Sequence, residues 1–292
     1  MIRIDNSKIE TVCIQFLEYI KEYFKYNKTI TLTDGTLKSD DKLFKRFDGQ
    51  HELKYKMLEY FHTNMEKIII GSAEELQTLN DKFLEEINFD KNNDVHNLQF
   101  EEFKKIMVNY YTDFFQQIII FNDEEINYGR LLSRKLGIKV CPYCNHNYIF
   151  TINENEDEIK YRPDFDHFFS KAKYPLLALS LYNLIPCCSV CNKIKGETQI
   201  SFNPYNNKCS ENILFRAISN KKKDSQINLS EWVIDSKKID IEIQHFSDGK
   251  NLKKKSDEDN FIKKLGIDKI YAEHIDHVEE ILSKIYAYNN DY

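Results

Sequence analysis

Two short cysteine pairs constrain this chain more than any other feature. "CPYC" spans residues 141 to 144 and "CSVC" spans residues 188 to 191, with 43 residues between them. A two-residue spacer lets both sulfurs of a pair reach one ion without strain. Two pairs supply the four thiolates of a tetrahedral zinc site. Such a site has no open position, so it braces structure, and its binding energy becomes folding energy. Cys141, Cys144, Cys188 and Cys191 are therefore the expected ligands of a structural Zn²⁺. Cys187 is a spare thiol beside the second pair, and Cys13 and Cys209 lack partners at ligand spacing. Seven cysteines, five of them clustered, do not form the even, dispersed set of a secreted disulfide framework. A reducing, cytoplasmic location is expected.

The N-terminal stretch agrees with that location. Asp5, Lys8, Glu10, Glu18 and Lys21 interrupt its apolar pattern, which excludes a signal-peptide core. No apolar run approaches the ~18 residues that span a bilayer, so no membrane partner is expected. The net charge of −6 gives no global field that would capture a polyanion.

The chain reads as α+β. Residues 1 to 138 form a mostly helical part. In "KIETVCIQFLEYIKEYFKYN" the apolar residues Ile9, Val12, Cys13, Phe16, Leu17, Ile20 and Phe24 recur at helical spacing. Two further segments, "LKYKMLEYFHTNMEKIII" and "FEEFKKIMVNYYTDFFQQIIIF", behave alike. "TLTDGT" and "NFDKNNDV" read as turns, and Ser72 before an acidic first turn reads as a helix start. Residues 139 to 292 form a metal-bearing core with an extension. "NYIFTI" and "IKYRPDF" flank an acidic tip as a hairpin. "NILFRAI", "SEWVID" and "KIDIEIQHF" read as short strands, and one or two helices close the chain.

The stretch "DFDHFFSKAKYPLLALSLYNLIPCCSVCNKIKG" (164 to 196) carries the candidate chemistry. Asp166 and His167 end an expected strand, and fifteen loop residues lead to Asn183. A second strand, "NLIPCC", then runs into a helix carrying Asn192. Strand, loop, strand and helix bring Asp166 and Asn192 together with His167 beside them. Singly, each residue is more often structural. Jointly they have the types that phosphodiester hydrolysis needs. Histidine is the usual general base near neutral pH, with an ordinary pKa of roughly 6.5. A carboxylate and an amide oxygen form a hard-oxygen set suited to Mg²⁺ or Mn²⁺. Lys193 and Lys195 follow on the same helix and are equally readable as phosphate contacts or as solvated lysines. Asp164 faces the same side of the strand as Asp166 and is expected to support it. His146 is expected to be exposed, and His274 and His277 to lie on a solvated helix face.

With "CPYC" before it, this stretch resembles the HNH endonuclease superfamily, whose core is the ββα-metal fold. The resemblance covers about residues 139 to 200. It implies that His167 is the base that activates water and that Asp166 and Asn192 hold a catalytic divalent ion. It also implies that Asn183 fixes the loop and orients His167, and that the four cysteines brace the motif. More narrowly, the stretch is similar to the HNH subunits of Septu-type and retron-associated anti-phage systems, which work beside an ABC/SMC-like ATPase. By that resemblance the chain is an effector nuclease whose expected substrate is DNA, with RNA as the alternative.

Residues 193 to 223 hold seven basic side chains, Arg216 among them, against two acidic ones. This modest local patch is the expected phosphate-contacting rim, and target choice is expected to depend on another subunit. Two other function classes compete. One is a non-catalytic zinc-bearing protein-interaction module. The other is a C-x-x-C redox protein, which the lack of a βαβ context around "CPYC" weakens.

Overall fold

A computed structural model describes residues 4–5, 7–33, 52–116, 119–121, 124–153, 159–206, 213–219, 239–245 and 252–288. Helix α1 (Ser7–Thr33) buries Ile9, Val12, Cys13, Phe16, Leu17 and Ile20, the residues at three-and-four spacing. Helix α2 (Glu52–Thr63) buries Leu53, Met57, Leu58 and Phe61. Short α3 (Met65–Ile70) and α4 (Leu76–Glu86) follow, then the longer α5 (Asp94–Phe115). Asn93 caps α5: its side-chain oxygen accepts from the Val95 amide at 2.9 Å and the His96 amide at 3.3 Å. The expected start at Ser72 is displaced. The Glu75 carboxylate accepts from both the Ser72 amide and hydroxyl, which closes a turn, and α4 begins at Leu76.

Strands β1 (Ile119–Phe121) and β2 (Glu124–Ile126) make a short antiparallel pair before α6 (Tyr128–Leu136). The helix is capped by Asn127 and stopped by Gly137 at φ 58°, a left-handed conformation that glycine adopts at no steric cost. Rings from α1, α5 and α6 meet in the core: Phe16 lies 5.0 Å from Phe115 and 4.9 Å from Tyr128. The expected hairpin is present as β3 (Ile152–Asn153) with β4 (Ile159–Tyr161), and its acidic tip lies outside the described residues.

Strand β5 (Asp164–His167) pairs antiparallel with β6 (Leu184–Cys187), setting Asp166 opposite Ile185 and His167 opposite Leu184. Helix α7 (Ser189–Lys195) follows at once. The loop between the strands makes two 3₁₀ turns, Pro175–Leu179 and Leu181–Asn183. Leu176, Leu177, Ala178, Leu179 and Leu181 in it are fully buried, against α3 and α5. The Ser180 hydroxyl donates to the Ile68 carbonyl, tying the loop to α3.

The chain divides into two compact units: Ile2–Gln199 with Asn203–Asn207, and Ile200–Phe202 with Met1 and Lys208–Tyr292. Position 138 lies inside the first. In the second, β7 (Ile213–Ser219) pairs along its length with β8 (Ile239–His245). Three helices follow, α8 (Leu252–Leu265), α9 (Ile267–Ala272) and α10 (Ile275–Ala287), where one or two were expected. Gly266 at φ 62° ends α8, and a turn through Tyr271–His274 ends α9. The "SEWVID" strand expectation falls outside the described residues. The fold is α+β and mostly helical. No helix among the described residues is long and apolar enough to cross a membrane.

Candidate functional site

The first cysteine pair sits on a tight reversal. Val140 bridges Tyr148, the Cys141 amide donates to the Asn147 carbonyl at 2.9 Å, and the Asn145 amide donates to the Cys141 carbonyl at 2.8 Å. Asn145 takes φ 50°, a region asparagine tolerates better than most residues. The second pair straddles the start of α7. Cys188 is its N-cap, and its sulfur accepts from the Cys191 amide at 3.4 Å. All four sulfurs are buried and lie within 4.8 Å of one another. A tetrahedron with zinc–sulfur bonds of about 2.3 Å has sulfur–sulfur edges of about 3.8 Å, so this spacing can hold a metal ion such as zinc. Hydrogen bonds from Cys141, Cys144 and Cys191 hold the Cys188 thiol well below its ordinary value, and the Asn147 amide adds to this at 3.3 Å. A hydrogen bond from Cys141 lowers Cys144 to about 6. The same hydrogen bonds push Cys141 and Cys191 up, so the cluster keeps protons that an entering metal ion has to displace. Cys187 is fully buried on β6 and lies outside the cluster.

Tyr143, inside the first pair, joins this cluster to β5. Its hydroxyl donates to Asp166 Oδ2 at 2.7 Å. Lys195, from the last turn of α7, donates to Asp166 Oδ1 at 3.1 Å and to the His167 carbonyl at 2.7 Å. Lys195 is 1 % exposed and Asp166 is 4 % exposed. Lys195 is therefore neither a solvated lysine nor a phosphate contact in this arrangement. The reason is helical spacing: it lies on the face of α7 that also carries Cys188 and Cys191. Burial pushes the Asp166 carboxyl above the usual carboxylate range, against the pull of Lys195 and Tyr143.

His167 is buried, with Nε2 at 3.0 Å from the Ala178 carbonyl oxygen. A carbonyl only accepts, so Nε2 carries the proton and Nδ1 of the neutral ring keeps its lone pair. Burial, then the positive charge of Lys171, pushes the His167 pKa down to about 3, so the ring is neutral across the physiological range. Asn183 holds the surrounding loop. Its oxygen accepts from the Phe169 amide at 2.7 Å, and its NH₂ donates to the carbonyls of Phe169 at 3.0 Å and Leu177 at 2.9 Å. The last bond fixes the residue next to Ala178, and through it the carbonyl that orients His167.

These groups border a cavity of about 360 Å³ whose lining includes Tyr111, Arg162, Asp164, Asp166, His167, Lys171 and Asn192. Asp166, His167 and Asn192 thus share one cavity, and Asn183 stands behind it. The Asn192 amide donates to Asp164 Oδ2 at 3.3 Å. Lys193 is exposed on α7. Arg216 is exposed on β7, in the other compact unit, and Lys208 and Lys221 to Lys223 lie outside the described residues. His146 is half-buried, its Nδ1 2.9 Å from Asn147 Oδ1. The His274 and His277 rings stack at 5.2 Å.

Sequence reasoning missed Tyr111, Tyr143, Arg162 and Lys171. Tyr143 had a signal, since it lies inside a metal-ligand pair, where side chains are rarely free. Tyr111 had none, because a distant helix brings its ring to 4.5 Å from that of His167. No protein-family model, curated protein or solved structure matches the chain.

Proposed function

We propose that the chain is a metal-dependent endonuclease of the HNH type, hydrolysing phosphodiester bonds of nucleic acid. The observation that carries this reading is the placement of Asp166, His167 and Asn192 on one cavity. With Nε2 facing the Ala178 carbonyl, Nδ1 is the ring nitrogen that keeps a lone pair, the atom a general base would use. The order β5, β6, α7 supports the same reading, because the ββα-metal core has that order. His167 takes the proton of the attacking water, and Asn183 and Ala178 hold its ring. The four cysteines would hold a structural zinc that ties β6 and α7 to the reversal carrying Tyr143.

Asp166 and Asn192 would hold a catalytic Mg²⁺ or Mn²⁺. The fit is one of donor chemistry: Asp164, Asp166 and Asn192 are all hard-oxygen side chains on one cavity. In the structure the Asp166 oxygens are engaged by Tyr143 and Lys195, so an ion binding there competes with the Lys195 ammonium. A divalent ion, when bound, stabilises charge on the leaving oxygen. The resemblance further implies DNA as substrate, with RNA as the alternative, and an ABC/SMC-like ATPase as partner in an anti-phage complex.

The test is cleavage of supercoiled plasmid, linear DNA and total RNA by wild type and His167→Ala, with Mg²⁺ or Mn²⁺. The expected result is metal-dependent cleavage that falls by at least about 100-fold in the variant, the scale of lost general-base catalysis. Equal cleavage by both proteins overturns the assignment of His167.

A second reading is a non-catalytic, zinc-braced interaction module. The observation favouring it is a strip of exposed apolar side chains beside the first cysteine pair. Tyr148, Phe150 and Ile152 alternate with less exposed residues, and Tyr161 pairs opposite Ile152. Patches of this kind mark interaction surfaces. On this reading wild type does not cleave, even with its partner present.

A further inference from the structure

Five basic side chains lie on or beside the cavity, and four are already committed or turned outward. Lys195 is buried against Asp166. Arg162 donates to the Pro163 carbonyl at 2.8 Å and the Phe115 carbonyl at 3.3 Å. Lys173 is exposed and donates to the Glu197 carbonyl at 3.3 Å. Lys193 is exposed on α7. Lys171 differs from all of these. It lines the cavity, is half-buried, and has no hydrogen bond or ion pair among the described residues. Its ammonium sits over the Tyr111 ring, 4.6 Å from the centroid, and that ring meets His167 edge-on. An aromatic face offsets only part of the cost of taking an ammonium out of water. The rest is recovered when an anion enters.

We propose that Lys171 is the cation that receives a non-bridging phosphate oxygen of the substrate strand. The inference rests on the nuclease reading and deepens it. Tyr111 fixes both partners: one face carries the Lys171 ammonium, and the ring packs on the imidazole. A phosphate held by Lys171 is thereby placed on the cavity wall beside His167. Three acidic residues also line the cavity. Asp166 is engaged by Lys195 and Tyr143, Asp164 is bonded to Asn192, and Glu197 is exposed, so none is the buried counter-ion of Lys171. The sequence did not single out Lys171, because "SKAKYP" offers two lysines and nothing in it says which is enclosed.

The test uses the full chain. Fluorescein-labelled DNA and RNA oligonucleotides are titrated against His167→Ala, with and without Lys171→Gln or Lys171→Arg, across a series of KCl concentrations. Loss of one phosphate contact lowers the slope of log affinity on log salt by about 0.7 to 0.9 and weakens binding by roughly fivefold at moderate salt. Lys171→Gln should show both effects, and Lys171→Arg should retain most of the affinity. In the otherwise wild-type chain Lys171→Gln should raise KM more than it lowers kcat. Thermal melting of each variant separates this from misfolding, and Lys171→Arg keeps the charge if the glutamine variant melts early. Suppose wild type cleaves while Lys171→Gln matches it in affinity, salt slope and KM. The assignment of Lys171 then fails and the nuclease reading stands. A wild type that neither binds nor cleaves either polymer, even with its partner present, overturns both.

Discussion

At the scale of single residues, the telling contact is the ion pair of Asp166 and Lys195. Both side chains are taken out of water, and Tyr143 supplies a further hydrogen bond. Removing one partner leaves an uncompensated buried charge, which costs about 3–5 kcal/mol. Lys195→Met is expected to lose that much in urea unfolding. Adding Asp166→Asn, which removes the stranded charge and keeps an acceptor for Tyr143, should restore a good part of it. A Lys195→Met protein with unchanged stability would show that water, and not Lys195, satisfies Asp166. None of this was legible beforehand. "NKIKG" contains two lysines two residues apart, and only the orientation of α7 sends one inward and the other out. By contrast, the four cysteines were legible from spacing alone, because ligand geometry admits few spacers.

At the scale of elements, the amphipathic helices were the easiest to read. Ile9, Val12, Phe16 and Ile20 recur at the helical period and are buried. Short strands were harder. The hairpin after the first cysteine pair keeps only two or three paired residues per strand, since Arg162 and Pro163 leave the ladder before β5 begins. The element that most depends on chemistry outside the backbone is α7. It has only seven residues, too few to persist on propensity alone, and its cap is a cysteine sulfur. Cys188→Ser should therefore lower zinc content below one ion per chain and reduce stability and cleavage together. Metal analysis and thermal melting check this. A stable, fully loaded and active variant would mean that Cys187 has taken the vacant place.

At the scale of the whole molecule, the helices before residue 138 do more than precede the site. Ile68 of α3 accepts from the loop Ser180, and Tyr111 of α5 packs on His167. A fragment of residues 139–292 is therefore expected to be insoluble or to unfold without cooperativity, even when supplied with zinc. A monomeric fragment with a sharp melting transition would overturn this. The sequence could divide the chain by character, helical before and mixed after, but not by packing. Contacts between residues far apart in the chain leave no periodic trace. One of these contacts bears on laboratory practice. The Tyr143 phenol runs from the cysteine cluster to the carboxylate beside His167. A chelator strong enough to strip the thiolates will therefore disturb the cavity from behind, whatever ion the cavity holds. A reaction blank made with such a reagent mixes two causes of silence. Exchanging Mg²⁺ for Ca²⁺, with the zinc left in place, keeps them apart.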